Sequence, residues 1–113
     1  MKKVLLGAVA MVASFGFGQA FAADSVTLQL KWVTQAQFGG YYVAKDKGFY
    51  TDEGLDVTIN PGGPDIAPEQ VIAGGGADVI VDWMGGALAA REKGVPLVNI
   101  AQPFKKAGMR MVP

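Results

Sequence analysis

The hydrophobic pattern of this chain changes period repeatedly over a short length, and that alternation leaves few architectures open. Residues 26–32 (Val-Thr-Leu-Gln-Leu-Lys-Trp) alternate apolar and polar side chains, the period-two mark of a strand with one buried face. Residues 38–47 then read as a helix with Tyr42 and Val43 inward and Lys45, Asp46 and Lys47 outward. Gly48 follows where a helix can end in left-handed backbone. Residues 55–59 (Leu-Asp-Val-Thr-Ile) alternate again and are stopped by Asn60-Pro61-Gly62-Gly63-Pro64. Asp65 is placed to cap a second helix over residues 66–73, with Pro68 and Glu69 in its first turn. After Gly74-Gly75-Gly76, Val79-Ile80-Val81 is a short continuous apolar run, as in a strand covered on both faces. A third helix is expected over residues 87–93, closed by Gly94, and a fourth strand over residues 95–101. Strands and helices alternating through short connections predict an α/β fold, a mostly parallel sheet with flanking helices. The echo between Ala44-Lys45-Asp46-Lys47-Gly48 and Ala90-Arg91-Glu92-Lys93-Gly94 is helix-end chemistry, with cations near the negative pole and glycine beyond it.

The segment before the first strand follows a different logic. Met1-Lys2-Lys3 is a basic head, residues 4–17 are an apolar run, and Ala20-Phe21-Ala22 supplies small residues at a cleavage site. That order predicts a secretory signal peptide over residues 1–22 and a mature domain over residues 23–113. A membrane anchor would need roughly 20 apolar residues, more than this run provides. Without Lys2 and Lys3 the remainder carries two more acidic than basic residues. No basic patch survives to suit nucleic acid. The chain has no cysteine and no histidine. Disulfides, a thiol nucleophile, a histidine-based triad and the usual zinc ligand sets are thereby excluded. Asp52 and Glu53 read as a solvated pair in a loop. The three glycines 74–76 follow a helix and lack the Lys-Ser/Thr continuation of a phosphate-binding loop. No catalytic residues, metal or cofactor are expected.

In open α/β sheets a ligand sits beyond the carboxyl ends of the strands. That rule selects Trp32, Gln35, Gln37, Tyr41 and Tyr42 after the first strand, and Gly62, Gly63, Pro64 and Asp65 after the second. The third strand contributes Asp82, Trp83 and Met84, and the fourth Gln102 and Pro103. Flat aromatic faces, amides and a carboxylate suit a small polar heterocycle, which stacks and pairs through its ring nitrogens and amino groups. Each position also has a plainer reading. Tyr42 suits the core, Trp32 either closes the core or faces a ligand, the Gly-Gly-Pro is a turn, and Asp82 caps the following helix.

Several of these stretches together resemble a known group. They are Leu28-Gln29-Leu30-Lys31-Trp32, Gln35-Ala36-Gln37-Phe38-Gly39-Gly40-Tyr41-Tyr42-Val43-Ala44 and Gly48-Phe49-Tyr50, followed by Asp52-Glu53-Gly54-Leu55-Asp56-Val57. Gly62-Gly63-Pro64-Asp65, Gly74-Gly75-Gly76-Ala77-Asp78, Asp82-Trp83-Met84 and Pro96-Leu97-Val98-Asn99-Ile100-Ala101-Gln102 complete the set. The chain resembles the ABC-transporter substrate-binding proteins for thiamine-pyrimidine precursors and the related thiamine-pyrimidine synthases. The resemblance implies a type II periplasmic-binding-protein fold, with residues 23–113 as the N-terminal portion of its first lobe. It also implies a periplasmic location and delivery of a small-molecule ligand to an ABC transporter permease in the inner membrane. The implied ligand is a formylaminopyrimidine or hydroxymethylpyrimidine. Trp32 and Trp83 would stack on it, Asp82 would accept from its ring amino group, and Gln37 and Gln102 would orient it. Relatives bind flavins, nitrate or sulfonates on the same frame. An anion would want Arg or Lys at a strand end, and the four ends lack one apart from Lys105, just past the fourth. In the synthases a lysine that holds pyridoxal phosphate and a histidine consumed as substrate stand where this chain has Asp82 and Gly86. A further alternative is a fragment or truncated gene product with no binding of its own.

Overall fold

A computed structural model of the chain describes residues 22–105. The predicted signal peptide, apart from Ala22, lies outside the described residues. Within them, β1 (Asp24–Gln29), β2 (Leu55–Asn60) and β3 (Val79–Ile80) form one parallel sheet in the order β2-β1-β3. β1 runs beside β2 from Asp24 opposite Leu55 to Gln29 opposite Asn60, and Leu28 and Gln29 face Val79 and Ile80 of β3. The connections carry α1 (Gly39–Asp46), α2 (Phe49–Asp52) and α3 (Pro68–Ala73), and α4 (Met84–Glu92) follows β3. This is the α/β arrangement that the period changes predict.

The central position of β1 explains where the core lies. Leu28, Leu30, Phe38 and Val57 are buried together, Leu30 completely, and Val26, Tyr41, Tyr42, Tyr50, Ile59 and Val81 pack around them. Alternation places Leu28 and Leu30 on one face of β1, and the 3-10 turn Ala36–Phe38 brings Phe38 down onto it. Gly48 ends α1 at φ +77° and Gly94 follows α4 at φ +93°, the left-handed conformation expected where lysines give way to glycine.

Three sequence expectations are corrected. α3 begins at Pro68 with Ala67 as its extended N-cap, and no side chain caps it. A proline disfavours helical backbone in the residue before it, so the helix cannot reach back to Asp65. α4 starts at Met84, taking in Gly85 and Gly86, and Asp82 bonds the N–H of Trp83 instead of capping the helix. Residues 95–101 form no strand. Val98 and Ile100 are 79% and 75% exposed, while Leu97 is buried. β3 is only two residues long and offers little edge to pair with, and Pro96 has no N–H to give. The segment is held by the Arg91 guanidinium, which donates to the Leu97 carbonyl, and by the Val95 N–H on Ala90.

Candidate functional site

The carboxyl ends of β1 and β2 are tied together below the surface. Gln29 is 4% exposed, and its side-chain amide donates to the carbonyls of Leu30 and Pro61 at 3.0 Å each. The Gly62 N–H donates to the Trp32 carbonyl at 3.0 Å. A Cβ on Gly62 would lie 2.3 Å from the Leu30 oxygen and 2.6 Å from the Trp32 nitrogen, so only glycine permits this approach. These contacts hold Lys31 and Trp32 beside the loop that follows β2.

Between them opens a cavity of about 380 Å³. Lys31 and Trp32 line it from just beyond β1, Gly63, Pro64 and Asp65 from the loop, and Gln70 and Trp83 from α3 and the start of α4. The chain's two tryptophans therefore stand at one cavity. Its polar end is an ion cluster. Lys31 Nζ lies 2.7 Å from Asp82 Oδ1, 3.5 Å from Glu69 Oε2 and 5.5 Å from the centre of the Trp83 ring. Burial pulls the Lys31 pKa down, but the hydrogen bond and charge of Asp82, with a smaller share from Glu69, outweigh it and leave the pKa raised. The Asp82 side chain is 4% exposed, and its Oδ2 is buried with no hydrogen-bond partner among the described residues. Gly86 is the reason that both carboxylates fit there. A Cβ on it would sit 3.1 Å from Glu69 Oε1 and 3.2 Å from Asp82 Oδ2.

Of the predicted site residues, Trp32, Gly63, Pro64, Asp65 and Trp83 meet at this cavity. Gly62 supports it from behind, and Asp82 lies behind Lys31, its Oδ1 accepting from the Trp83 N–H at 2.7 Å. Gln37 and Tyr41 line a different cavity of about 390 Å³ with Pro103 and Phe104. There burial pushes the Tyr41 phenol up, with a further contribution from Tyr50. Gln35, Met84 and Gln102 line neither cavity. The Gln35 carbonyl accepts from Phe38, Met84 is exposed on α4, and the Gln102 amide donates to the Phe104 carbonyl. Tyr42 packs on the core, with its hydroxyl against Thr34. Lys31, Glu69 and Gln70 escape the sequence reading. Lys31 is a basic residue at a strand end, where the sequence offers none apart from Lys105 beyond the fourth expected strand, and its signal was its place next to Trp32. Nothing in the sequence couples it to Glu69.

Comparison with known proteins places the sequence in a lineage. The chain is 33% identical over 81 residues to the formylaminopyrimidine-binding protein of Halalkalibacterium halodurans, covering 71% of this chain and 24% of that protein. It is 30% identical over 88 residues to the 4-amino-5-hydroxymethyl-2-methylpyrimidine phosphate synthases THI11 and THI13 of Saccharomyces cerevisiae, covering 74% of this chain and 26% of each. The chain thus spans about a quarter of the length of these relatives. No solved structure matches it. Residues 35–112 match the model of one family, described as NMT1/THI5 like. On that match, and on these relatives, the chain belongs to the NMT1/THI5-like family.

Proposed function

We propose that this chain supplies part of the binding lobe of an ABC importer's capture protein, and that the ligand is a small aminopyrimidine of the thiamine-precursor type. The protein would be exported through its signal peptide and deliver the ligand from the periplasm to an inner-membrane permease. The observation that carries the reading is the cavity that joins both tryptophans to the Lys31–Asp82 pair. An aminopyrimidine edge sets a donor amine beside an acceptor nitrogen. A lysine ammonium and a carboxylate offer the complementary pair, and Lys31, held by Asp82 from behind, lines the cavity together with Asp65. Indole faces supply the stacking surface. Ligand contacts would then favour a closed state, which the permease recognises. The relative named for formylaminopyrimidine binding supports the ligand class.

The yeast relatives raise a synthase as the second reading. Pyridoxal phosphate needs an amine to hold it, and the residues here do not fit. Asp82 cannot form a Schiff base. Lys31, among the described residues the one amine lining the cavity, is kept protonated by Asp82 and Glu69, the reverse of what a nucleophilic lysine requires. Tryptophan fluorescence tests the binding reading directly, because both indoles line the cavity. Titration with 4-amino-5-hydroxymethyl-2-methylpyrimidine should give saturable quenching below about 1 mM. An emission spectrum unmoved up to that concentration would remove the proposal.

A further inference from the structure

We infer that the outer edge of β2 is a pairing surface for a second copy of this chain, and that Lys45 is the latch that keeps it closed. The direction of the backbone groups comes first. The Asp24 N–H donates to the Gly54 carbonyl and the Leu30 N–H to the Asn60 carbonyl, while β1 and β2 stay in step along their whole length. Alternation along an extended strand therefore turns Asp56, Thr58 and Asn60 towards β1 with their backbone groups, and Leu55, Val57 and Ile59 away from it. In the order β2-β1-β3 no strand lies on that outer side among the described residues. What lies there is the ammonium of Lys45, which donates to the Val57 carbonyl at 2.6 Å. Lys45 stands in the last turn of α1 and forms no ion pair among the described residues. Its charge goes instead to a main-chain acceptor in the middle of a six-residue edge. A lysine set on an edge denies it to other strands, because an incoming backbone must first displace a charged donor.

The occupant that fits is β2 of another copy, running antiparallel across a two-fold axis at Val57. That register sets Val57 opposite Val57, Leu55 opposite Ile59 and Asp56 opposite Thr58. The three outward residues then become the hydrogen-bonded pairs of an antiparallel ladder, and both copies use the same patch, as a two-fold contact requires. Leu55 and Ile59 already pack against the core, so their meeting joins the apolar rims of two cores. On the other face of the strand Asp56 and Thr58 are exposed. The register gives each carboxylate a hydroxyl to face, and it sets no two like charges opposite each other. β3 is no competitor for such pairing, being two residues long.

The test follows association of the full chain by sedimentation equilibrium. Lys45→Met removes the latch and keeps a long side chain, and it should lower the dimer dissociation constant by about tenfold or more. Lys45→Arg, which keeps a charged donor, should stay close to the parent. The register has an arm of its own, since the chain has no cysteine. Asp56→Cys and Thr58→Cys chains mixed under mild oxidation should cross-link about fivefold faster than either alone, because only the mixed pair brings the two sulfurs directly opposite each other. This arm is read at high concentration in chains that retain Lys45, so it does not depend on Lys45→Met folding. A Lys45→Met chain that associates no more tightly than the parent overturns the latch. Equal cross-linking rates in mixed and unmixed samples overturn the pairing across Val57.

Discussion

Gly62 is the position where one added carbon does the most damage. Its Cβ would press on the backbone of Leu30, Lys31 and Trp32 at 2.3–2.6 Å, and backbone atoms cannot rotate away as a side chain can. Gly62→Ala should therefore cost roughly 1–3 kcal/mol or more by overpacking, read as a lower urea midpoint. Gly63→Ala is the control for stability, since no atom lies within 4 Å of its Cβ position; it should change stability by less than about 0.5 kcal/mol. Lys31 makes the complementary case. Lys31→Met strands the buried Asp82 carboxylate and should cost about 1–3 kcal/mol, most of it recovered when Asp82→Asn is added. Because the folded-state pKa of Lys31 is raised, its stabilisation is complete below the ordinary lysine value and is lost as pH rises through the raised one. Tyr41 and Tyr50, also raised, act in the same direction. The urea midpoint should fall in strongly alkaline solution, and less steeply in Lys31→Met. A midpoint as alkali-sensitive in the variant as in the parent would remove Lys31 from that account. The glycine at 62 was legible as loop punctuation, but its close approach was not. The role of Lys31 was hidden because alternation marks it only as the face opposite Leu30. Its partners come from α3 and from the end of β3, far along the chain.

At the level of elements, legibility followed how local each cause is. β1, β2, β3 and α1 lie within a few residues of where the period changes put them, because alternation, helical spacing and terminal glycines act within a few residues. The start of α3 depended on Pro68 overruling Asp65, a rule the sequence contained but which competed with capping. The fourth strand was out of reach of any local rule. A strand exists only beside a partner edge, and the pattern of residues 95–101 says nothing about the length of β3. This difference can be measured. Val98→Thr and Ile100→Thr should each change stability by less than about 0.5 kcal/mol, as exposed positions do. Leu97→Ala should cost roughly 2 kcal/mol, because Leu97 is the buried member of the segment. Comparable losses at all three positions would mean that the segment is paired and covered after all. The candidate site divides in the same way: residues on the β1 and β2 ends and Trp83 before α4 converge, while Gln37, Tyr41 and Gln102, carried by longer connections, do not.

For the molecule as a whole, the balance between core and surface decides how the chain behaves in solution. The proposed export predicts that protein recovered from the periplasm of an exporting host begins at Ala23; recovery with Met1 in place would refute cleavage. The folded part has one small core around Leu28, Leu30, Phe38 and Val57. Against it stand Phe49, Trp83, Met84, Leu88, Val98 and Ile100, all more than half exposed. Apolar surface on this scale drives association when it is contiguous, and β2 and β3 each leave one strand edge unpaired among the described residues. An unpaired edge is a template for pairing with another copy. A domain of this size has little stability in reserve to tolerate both features. The chain on its own should therefore self-associate as its concentration rises, and unfold over a broad transition. Sedimentation equilibrium across a wide concentration range, with calorimetry on the same samples, checks both halves of this expectation. Addition of the aminopyrimidine should sharpen the transition, since a ligand bound only by the folded state stabilises it by mass action. A monomer at every concentration, unfolding sharply and reversibly without ligand, would show that the exposed apolar side chains are too scattered to act as a surface.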